Sequence, residues 1–368
     1  MRSLLRFLGI LLAGVLVFGA ARLLDKAPWR KEAAPEQPRP TVAVQIQTEE
    51  TAPEQSETLP VQTETAATTG PAQERFLLTF VGDCTLGSQE EHAYAEIGFI
   101  KTVGDDYGYP FRYVLDYFEK DELTCINLEG VLSDEGYALQ RNQSFRGPAA
   151  YVDILTQNSV EAVTLANNHT MDYGQTGYAS TKTGLEAAGI PYVERDSSTI
   201  ITTQNGLTVG IYGAVYYGMD EEEITAAIRE LRKQADIVIF APHWGSEMKY
   251  ARTREQIDLA HAVIDAGADF VWGSHPHVLQ PMETYNGGVI CYSLGNFSFG
   301  GNNYPGDYDS ALIQQEVIRA ADGTVSLGET IVVPVCISSV SSRNNFQPVP
   351  YEEGSEDYVR VMKKLDPA

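Results

Sequence analysis

Residues 269–281 read DFVWGSHPHVLQP. The run at 270–272 is short and apolar, as in a buried strand, and His275 and His277 follow it with a proline between them. In open α/β sheets, ligands bind outside the carboxyl ends of the strands. The stretch therefore predicts a strand whose end directs two imidazoles into a cleft.

Other apolar runs end in polar residues of the same kind. They are Asp83 after RFLLTFVG (75–82), Asn127 and Glu129 in ELTCINLEG (122–130), Asn168 and His169 in VEAVTLANNH (160–169), and His243 after ADIVIFAP (235–242). Helix-like segments such as 220–234 and 256–268 lie between runs, and this alternation predicts an α/β fold with a mixed sheet. The five strand ends are expected to converge on one cleft.

The residue types at these strand ends favour a divalent metal. Carboxylates, amide oxygens and imidazoles together suit Mn, Zn or Fe, whereas a set without thiolates is poor for a structural zinc site. Two further residues each have more than one possible role. Glu247 in HWGSE is a ligand, a general base or a solvated carboxylate, and Asn296 in SLGNF lines the pocket or stabilises a turn.

Composition excludes some classes of partner. The formal net charge is −24 and the chain is 43% hydrophobic, which is ample for a packed core. Such an acidic surface repels nucleic acid and anionic lipid, so neither is expected as a ligand. A polyanion would need a bound cation as intermediary.

The amino-terminal part of the chain has the composition of a targeting segment. Residues 1–27 carry Arg2 and Arg6, then an apolar run at 7–21, then Arg22 and Lys26. We interpret them as a signal anchor, with a cleaved signal peptide as the alternative. Residues 28–74 are rich in Pro, Glu, Gln and Thr and predict a disordered stalk. The folded domain at 75–340 is then extracytoplasmic at the cell membrane, followed by a C-terminal tail at 341–368.

The chain has four cysteines, and none forms a CxxC pair. Each lies in an apolar or strand-like context, which favours buried free thiols, although disulfides are the alternative in an extracytoplasmic protein.

Six motifs in this order resemble the poly-γ-glutamate capsule synthesis family, the CapA-like proteins. They are FVGDCTLG, NLEGVLS, TLANNHTMDYG, APHWGSE, GSHPHVLQP and YSLGNFSF, and they span about residues 76–300. That family is similar in turn to the calcineurin-like metallophosphoesterases. The resemblance implies a sandwich of two mixed β-sheets flanked by helices, in four layers ordered αββα.

The resemblance also implies roles for individual residues. Asn168 matches a metal ligand, and His169 matches the histidine that stabilises or protonates a phosphate ester. His243 matches an isolated metal histidine, and GSHPH supplies His275 and His277 as ligands.

The chain departs from the phosphoesterase pattern at two motifs. Asp83-Cys84-Thr85 stands where an Asp-x-His is usual, so one imidazole is missing, and NLE supplies Asn127 and Glu129 where a bridging aspartate is usual. The expected metal ligands, for one or two ions, are therefore Asp83, Glu129, Asn168, His243, His275 and His277, with Asn127 and Asn296 as further binding residues.

Two functions follow from these observations. The first is a metal-dependent hydrolase that cleaves a phosphoester or a γ-glutamyl amide in an envelope polymer, with His169 and Glu247 as catalytic residues. The second is a non-catalytic subunit of a poly-γ-glutamate synthase complex that binds or exports the polymer. The partners expected are poly-γ-glutamate or a phosphoester, and membrane synthase subunits.

Overall fold

The structure is a computed structural model that describes residues 73–92, 95–139 and 143–366. The predicted anchor at 1–27 lies outside these ranges, as does the predicted stalk up to residue 72. Within them, no helix is both long enough and apolar enough to span a bilayer.

The strands of the described residues have the following bounds: β1 Glu74–Thr85, β2 Ser88–Gln89, β3 Leu123–Leu128, β4 Val131–Leu132, β5 Phe145–Gly147, β6 Ala162–Thr164, β7 Tyr192–Val193, β8 Ser197–Thr202, β9 Thr208–Val215, β10 Ile237–His243, β11 Phe270–Trp272, β12 Leu279–Tyr285, β13 Gly288–Leu294, β14 Asn296–Phe299, β15 Asp309–Arg319, β16 Val325–Cys336 and β17 Val349–Pro350. The helices are α1 Phe99–Val103, α2 Leu115–Phe118, α3 Val152–Thr156, α4 Gly174–Ala188, α5 Glu221–Leu231, α6 Arg254–Ala266 and α7 Glu356–Leu365, with single 3₁₀ turns at Glu90–His92 and Ala149–Tyr151.

Most of these strands belong to two mixed sheets. The first has the order β17-β16-β15-β1-β3-β6-β7, with β14 paired to the end of β1, and the second has the order β12-β13-β11-β10-β9-β8. The strands β1, β3 and β6 run parallel in the first sheet, as do β9, β10, β11 and β13 in the second. A small third sheet, β2-β5-β4, follows the ends of β1 and β3.

Three hydrophobic cores separate four layers. Phe80 from the first sheet and Ile239 from the second lie in the core between the sheets. Val81 faces a second core, formed with the short helices and α4, and Phe240 faces a third, formed with α5 and α6. Alternate residues of one strand thus face opposite layers. The predicted αββα sandwich of two mixed sheets is confirmed.

Local sequence fixes where the longer helices begin and end. Thr253 and Gln256 form a reciprocal capping box at the start of α6, and the Asp220 side chain accepts from the Glu223 backbone at the start of α5. Helix α4 ends at Gly189, which has a left-handed conformation (φ 70°). The loops before α4 and α6 follow the carboxyl ends of β6 and β10.

The C-terminal segment packs on the domain. Phe346 is fully buried, and Val361 of α7 lies in the core between the sheets. Arg360 and Lys364 of the same helix bind the buried carboxylate of Asp309 at 2.7 and 2.8 Å. The four cysteines are buried and free, which confirms the prediction of unpaired thiols.

Candidate metal centre

The polar residues of both sheets meet at their common carboxyl edge. Strands β1, β3 and β6 bring Asp83, Glu129 and Asn168 from the first sheet, and β10 and β11 bring the histidines of the second. Gly82 allows the close approach needed here, because a Cβ at this position would lie 2.1 Å from the Gly295 carbonyl oxygen. The adjacent Asp83 amide donates to that same carbonyl at 2.8 Å.

Glu129 lies at the centre of three imidazoles. Its Oε1 is 3.6 Å from Nε2 of His243 and 3.9 Å from Nε2 of both His169 and His277. The carboxylate is fully buried, and neither oxygen accepts a hydrogen bond. Burial, and then the neighbouring charge of Asp83, raise the pKa of this carboxyl group above its usual range. Such a buried acceptor without partners is costly unless a cation binds it.

His243 is held as a neutral ring. Ser274 Oγ lies 2.9 Å from His243 Nδ1 and donates to the Pro242 carbonyl at 3.3 Å, and Asn127 Nδ2 lies 3.4 Å from the same Nδ1, so this side of the ring is held by polar contacts. Nε2 faces the site 2.7 Å from Asn168 Oδ1, and because an amide oxygen only accepts, the two atoms share either a proton or, in the loaded site, a cation. Complete burial, and next the charge of His275, hold the pKa of His243 well below its usual value. A neutral imidazole oriented through its other nitrogen is the form that binds metals.

His277 connects the two acids to Asn296. Its Nδ1 lies 2.9 Å from Asn296 Oδ1 and 3.1 Å from Asp83 Oδ2, which leaves Nε2 directed towards Glu129. Burial lowers the pKa of this ring, but the charges of Glu129 and Asp83 outweigh burial and raise it above the usual value. Asn296 thus orients a predicted ligand.

His275 is constrained by its backbone and by a tyrosine. It has a φ of 96°, a conformation that is rare outside glycine, and its amide donates to Asp83 Oδ2 at 3.3 Å. The Tyr216 ring stacks on the imidazole with centroids 4.9 Å apart. Burial, and then His277, lower the pKa of His275 to about 4, and its buried Nδ1 has no hydrogen-bond partner.

Asn127 belongs to a buried amide network beneath these ligands. Its Nδ2 donates to Asp83 Oδ1 at 2.9 Å, and its Oδ1 accepts from Asn167 Nδ2 at 3.0 Å. Asn167 in turn accepts from the His169 backbone amide at 3.0 Å. The network fixes the register of three strand ends relative to one another.

His169 is oriented by an aspartate that follows it in the same loop. Its Nδ1 lies 2.8 Å from Asp172 Oδ2, and the Phe145 ring covers the imidazole with centroids 4.5 Å apart. Burial lowers the pKa of this ring, but the hydrogen bond to Asp172 and the charge of Glu129 outweigh burial and raise the pKa. His169 therefore presents a protonatable Nε2 to the site.

Two overlapping groups of side chains have the composition of a metal site. Asp83, Glu129 and His277 form one, Glu247, His275 and His277 form the other, and in each group the ligand atoms lie within 4.8 Å of one another. The first group contains the two unpaired oxygens of Glu129, and the second contains the unpaired Nδ1 of His275. The residues present therefore fit a divalent cation.

Some residues of the site were not predicted from the sequence. Asp172, Asn167, Ser274 and Tyr216 all contact predicted ligands. Asp172 lies three residues after His169, a spacing that could have indicated it. Thr85, at the position of the missing imidazole, is buried and its hydroxyl has no partner. His261 lies on α6 away from the cluster and binds Glu283 at 2.8 Å.

Comparisons with known proteins agree with this set of motifs. Residues 77–301 match the family described as bacterial capsule synthesis protein PGA_cap. The chain belongs to this family. It is 31% identical over 317 residues to the PGA biosynthesis protein CapA of Bacillus subtilis, covering 78% of this chain and 77% of the relative. It is 30% identical over 301 residues to the capsule biosynthesis protein CapA of Bacillus anthracis, covering 73% and 69% respectively.

Likeness to solved structures is weaker. A hypothetical protein from Thermus thermophilus has a TM-score of 0.45 at 16% identity, covering 70% of this chain and 98% of that one. A putative 5′-nucleotidase from Staphylococcus aureus has a TM-score of 0.45 at 13% identity, covering 79% and 58%. The description of the fold therefore rests on the sheets and layers given above.

Proposed function

We propose that this PGA_cap protein is a metal-dependent hydrolase of poly-γ-glutamate capsule synthesis, acting on a phosphoester or a γ-glutamyl amide outside the cell membrane. The observation that carries the chemistry is the buried, unpaired Glu129 carboxylate with three imidazole nitrogens within 3.9 Å of one oxygen. The pathway is supported by the names of the Bacillus relatives, and the location by the apolar segment at 1–27.

The metal would be held by residues of the two overlapping groups. Asp83, Glu129 and His277 supply one set of donors, Glu247 and His275 extend it, and His243 with Asn168 lies against Glu129. A divalent cation bound there withdraws electron density from the phosphoryl or carbonyl oxygen of a substrate. This donor set without thiolate suits Mn, Zn or Fe.

His169 is the residue placed to move a proton. Its Nδ1–H donates to Asp172 Oδ2, and this bond fixes the ring so that Nε2 faces the interior of the site. A protonated Nε2 can transfer its proton to the leaving oxygen or nitrogen as water adds to the phosphoryl or carbonyl centre and the scissile bond breaks. Phe145 covers the ring and limits competing contact with water. Glu247 is exposed at the rim, where it can accept a proton or complete the metal site.

A non-catalytic polymer-binding subunit is the second candidate. The observation that favours it is Thr85, because the metallophosphoesterase pattern has an imidazole at this position and the chain offers only a hydroxyl. Under this alternative the cation binds carboxylates of the polymer without cleavage.

The test combines metal analysis with a screen of phosphomonoesters, phosphodiesters and γ-glutamyl amides. We expect His277→Ala to lose metal and His169→Ala to keep metal and melting temperature while its turnover falls by about 10²–10⁴-fold. His261→Ala is the matched control and should keep both. A wild-type protein with full metal that cleaves no compound of the screen would refute the hydrolase and support the binding subunit.

A further inference from the structure

An exposed aromatic surface adjoins the metal centre. Tyr216 and Tyr217, at the end of β9, leave 48% and 43% of their surface exposed and meet edge to face with centroids 4.9 Å apart. Arg195 lies with its guanidinium 4.5 Å from the centre of the Tyr217 ring. We call these three residues the tyrosine ledge.

The ledge is fixed to the metal centre by two contacts. The Tyr216 ring stacks on His275 at an interplanar angle of 16°, and its backbone amide donates to the His243 carbonyl at 2.8 Å. A molecule with one group at the metal would therefore meet Tyr216 and then Tyr217 as it leaves the centre on this side.

Arg195 ends the ledge with positive charge that is only partly used. Its Nη2 donates to the Tyr217 carbonyl at 2.8 Å and its Nε donates to Asp196 at 2.9 Å. Among the described residues Nη1 finds no hydrogen-bond acceptor, and the side chain is 41% exposed. A guanidinium that lies over an aromatic ring and leaves one terminal nitrogen unused can still donate to a planar anion.

The acidic residues around the ledge repel anions everywhere except close to Arg195. The chain carries a net charge of −24, and Glu221, Glu222 and Glu223 begin α5 only a few residues after Tyr217. An anion approaching this side is repelled by the acidic residues and attracted by Arg195. The two tyrosine rings offer flat apolar faces to the planar amide groups that connect the anions of an acidic amide-linked chain.

We propose that the tyrosine ledge is a subsite for a free carboxylate of an acidic, amide-linked chain whose neighbouring unit lies at the metal centre. This inference rests on the proposed function in its choice of polymer, and it adds where the chain lies and which residue recognises it. Arg195 is then a specificity-determining residue that takes no part in bond cleavage.

The test measures binding of a γ-linked glutamate pentamer to the full-length protein by calorimetry. We expect Arg195→Gln to weaken binding by about fivefold, as suits one partly exposed ion pair, and to reduce the dependence of binding on salt. Arg195→Lys, which keeps the charge and loses the planar fork, should fall between the wild type and Arg195→Gln. Arg112→Gln is the matched control, since Arg112 also pairs with an aspartate at 2.6 Å and lies over a tyrosine ring.

Two further ligands identify the group that is recognised. The pentamer with every carboxylate converted to an amide should bind the wild type as weakly as the charged pentamer binds Arg195→Gln. Inorganic phosphate should compete equally well in both proteins if it binds only at the metal. Equal binding of the pentamer by the wild type and Arg195→Gln, or an equal loss in Arg112→Gln, would overturn the subsite.

The subsite and the hydrolase fail in different ways. A wild-type protein that binds the pentamer through Arg195 but cleaves nothing supports the ledge and refutes the hydrolase. Cleavage of a phosphoester without any preference for the charged pentamer over its amide refutes the ledge and leaves the hydrolase.

Discussion

Replacing Glu129 by glutamine should remove most of the stability that a bound metal confers. The change keeps the shape of a fully buried side chain and removes the negative charge that three imidazole nitrogens surround at 3.6–3.9 Å. A metal present at a thousand times its Kd stabilises the folded state by about 4 kcal/mol. If the lost ligand weakens affinity by about 100-fold, the remaining stabilisation is about 1.4 kcal/mol. The difference of about 2.7 kcal/mol corresponds to about 4 °C in melting temperature for a domain of this size.

The assay is thermal unfolding of wild type and Glu129→Gln in manganese and in chelator. In chelator the substitution removes a desolvation penalty, which stabilises the fold, and also removes the ion pair with His277, which destabilises it. The quantity that reports on the metal is therefore the difference between the changes in melting temperature in the two buffers. Asp121→Asn is the matched control, because Asp121 lies two residues before the start of β3, has an unpaired buried oxygen, and has a pKa that burial raises to about 7. Its effect should be the same in both buffers. Refutation would be an equal loss for Glu129→Gln in both buffers, or a wild-type melting temperature that does not respond to metal.

The remaining predictions concern the proton donor, the C-terminal helix and the domain boundary. Asp172→Asn should lower the pKa of His169 and shift the alkaline limit of activity to lower pH without loss of metal, as read from the pH profile and metal content; an unchanged profile would exclude Asp172 as the orienting residue. Burial raises the pKa of Asp309, but Arg360 and Lys364 outweigh it and hold the pKa below the usual value, so its ion pairs stabilise the fold above about pH 4 and are lost as the pH falls further. Asp309→Asn should therefore cost about 2 kcal/mol at pH 7 and progressively less in acid, measured by urea unfolding, and a cost independent of pH would contradict this reasoning. A chain beginning at Gln73 should melt in one transition at the temperature of the chain beginning at Ala27; a much lower temperature would show that the intervening residues pack on the domain.

Much of the fold was predictable because its signals are local. Short apolar runs separated by amphipathic segments predict alternating strands and helices, and this depends only on the side-chain periods of the two structures. The capping residues Asp220 and Thr253 lie at the starts of α5 and α6, within the predicted helical segments or just before them. The candidate ligands were also visible in the sequence, since each follows an apolar run, and parallel strands place their carboxyl ends at one edge.

The contacts within the site were decided by tertiary structure alone. Which nitrogen of His243 faces Glu129 depends on Ser274, 31 residues further along the chain. The amide of His275 reaches Asp83 across 192 residues, because the two sheets pack face to face and join their carboxyl edges. Tyr216 had no signal in the sequence, since its role depends on the distance between neighbouring strand ends in the folded sheet. The sequence by itself determined which chemical groups the protein brings to this edge, because side-chain period and residue type are local properties; the packing of the sheets determined which of those groups touch, because contacts between distant residues exist only in the folded chain.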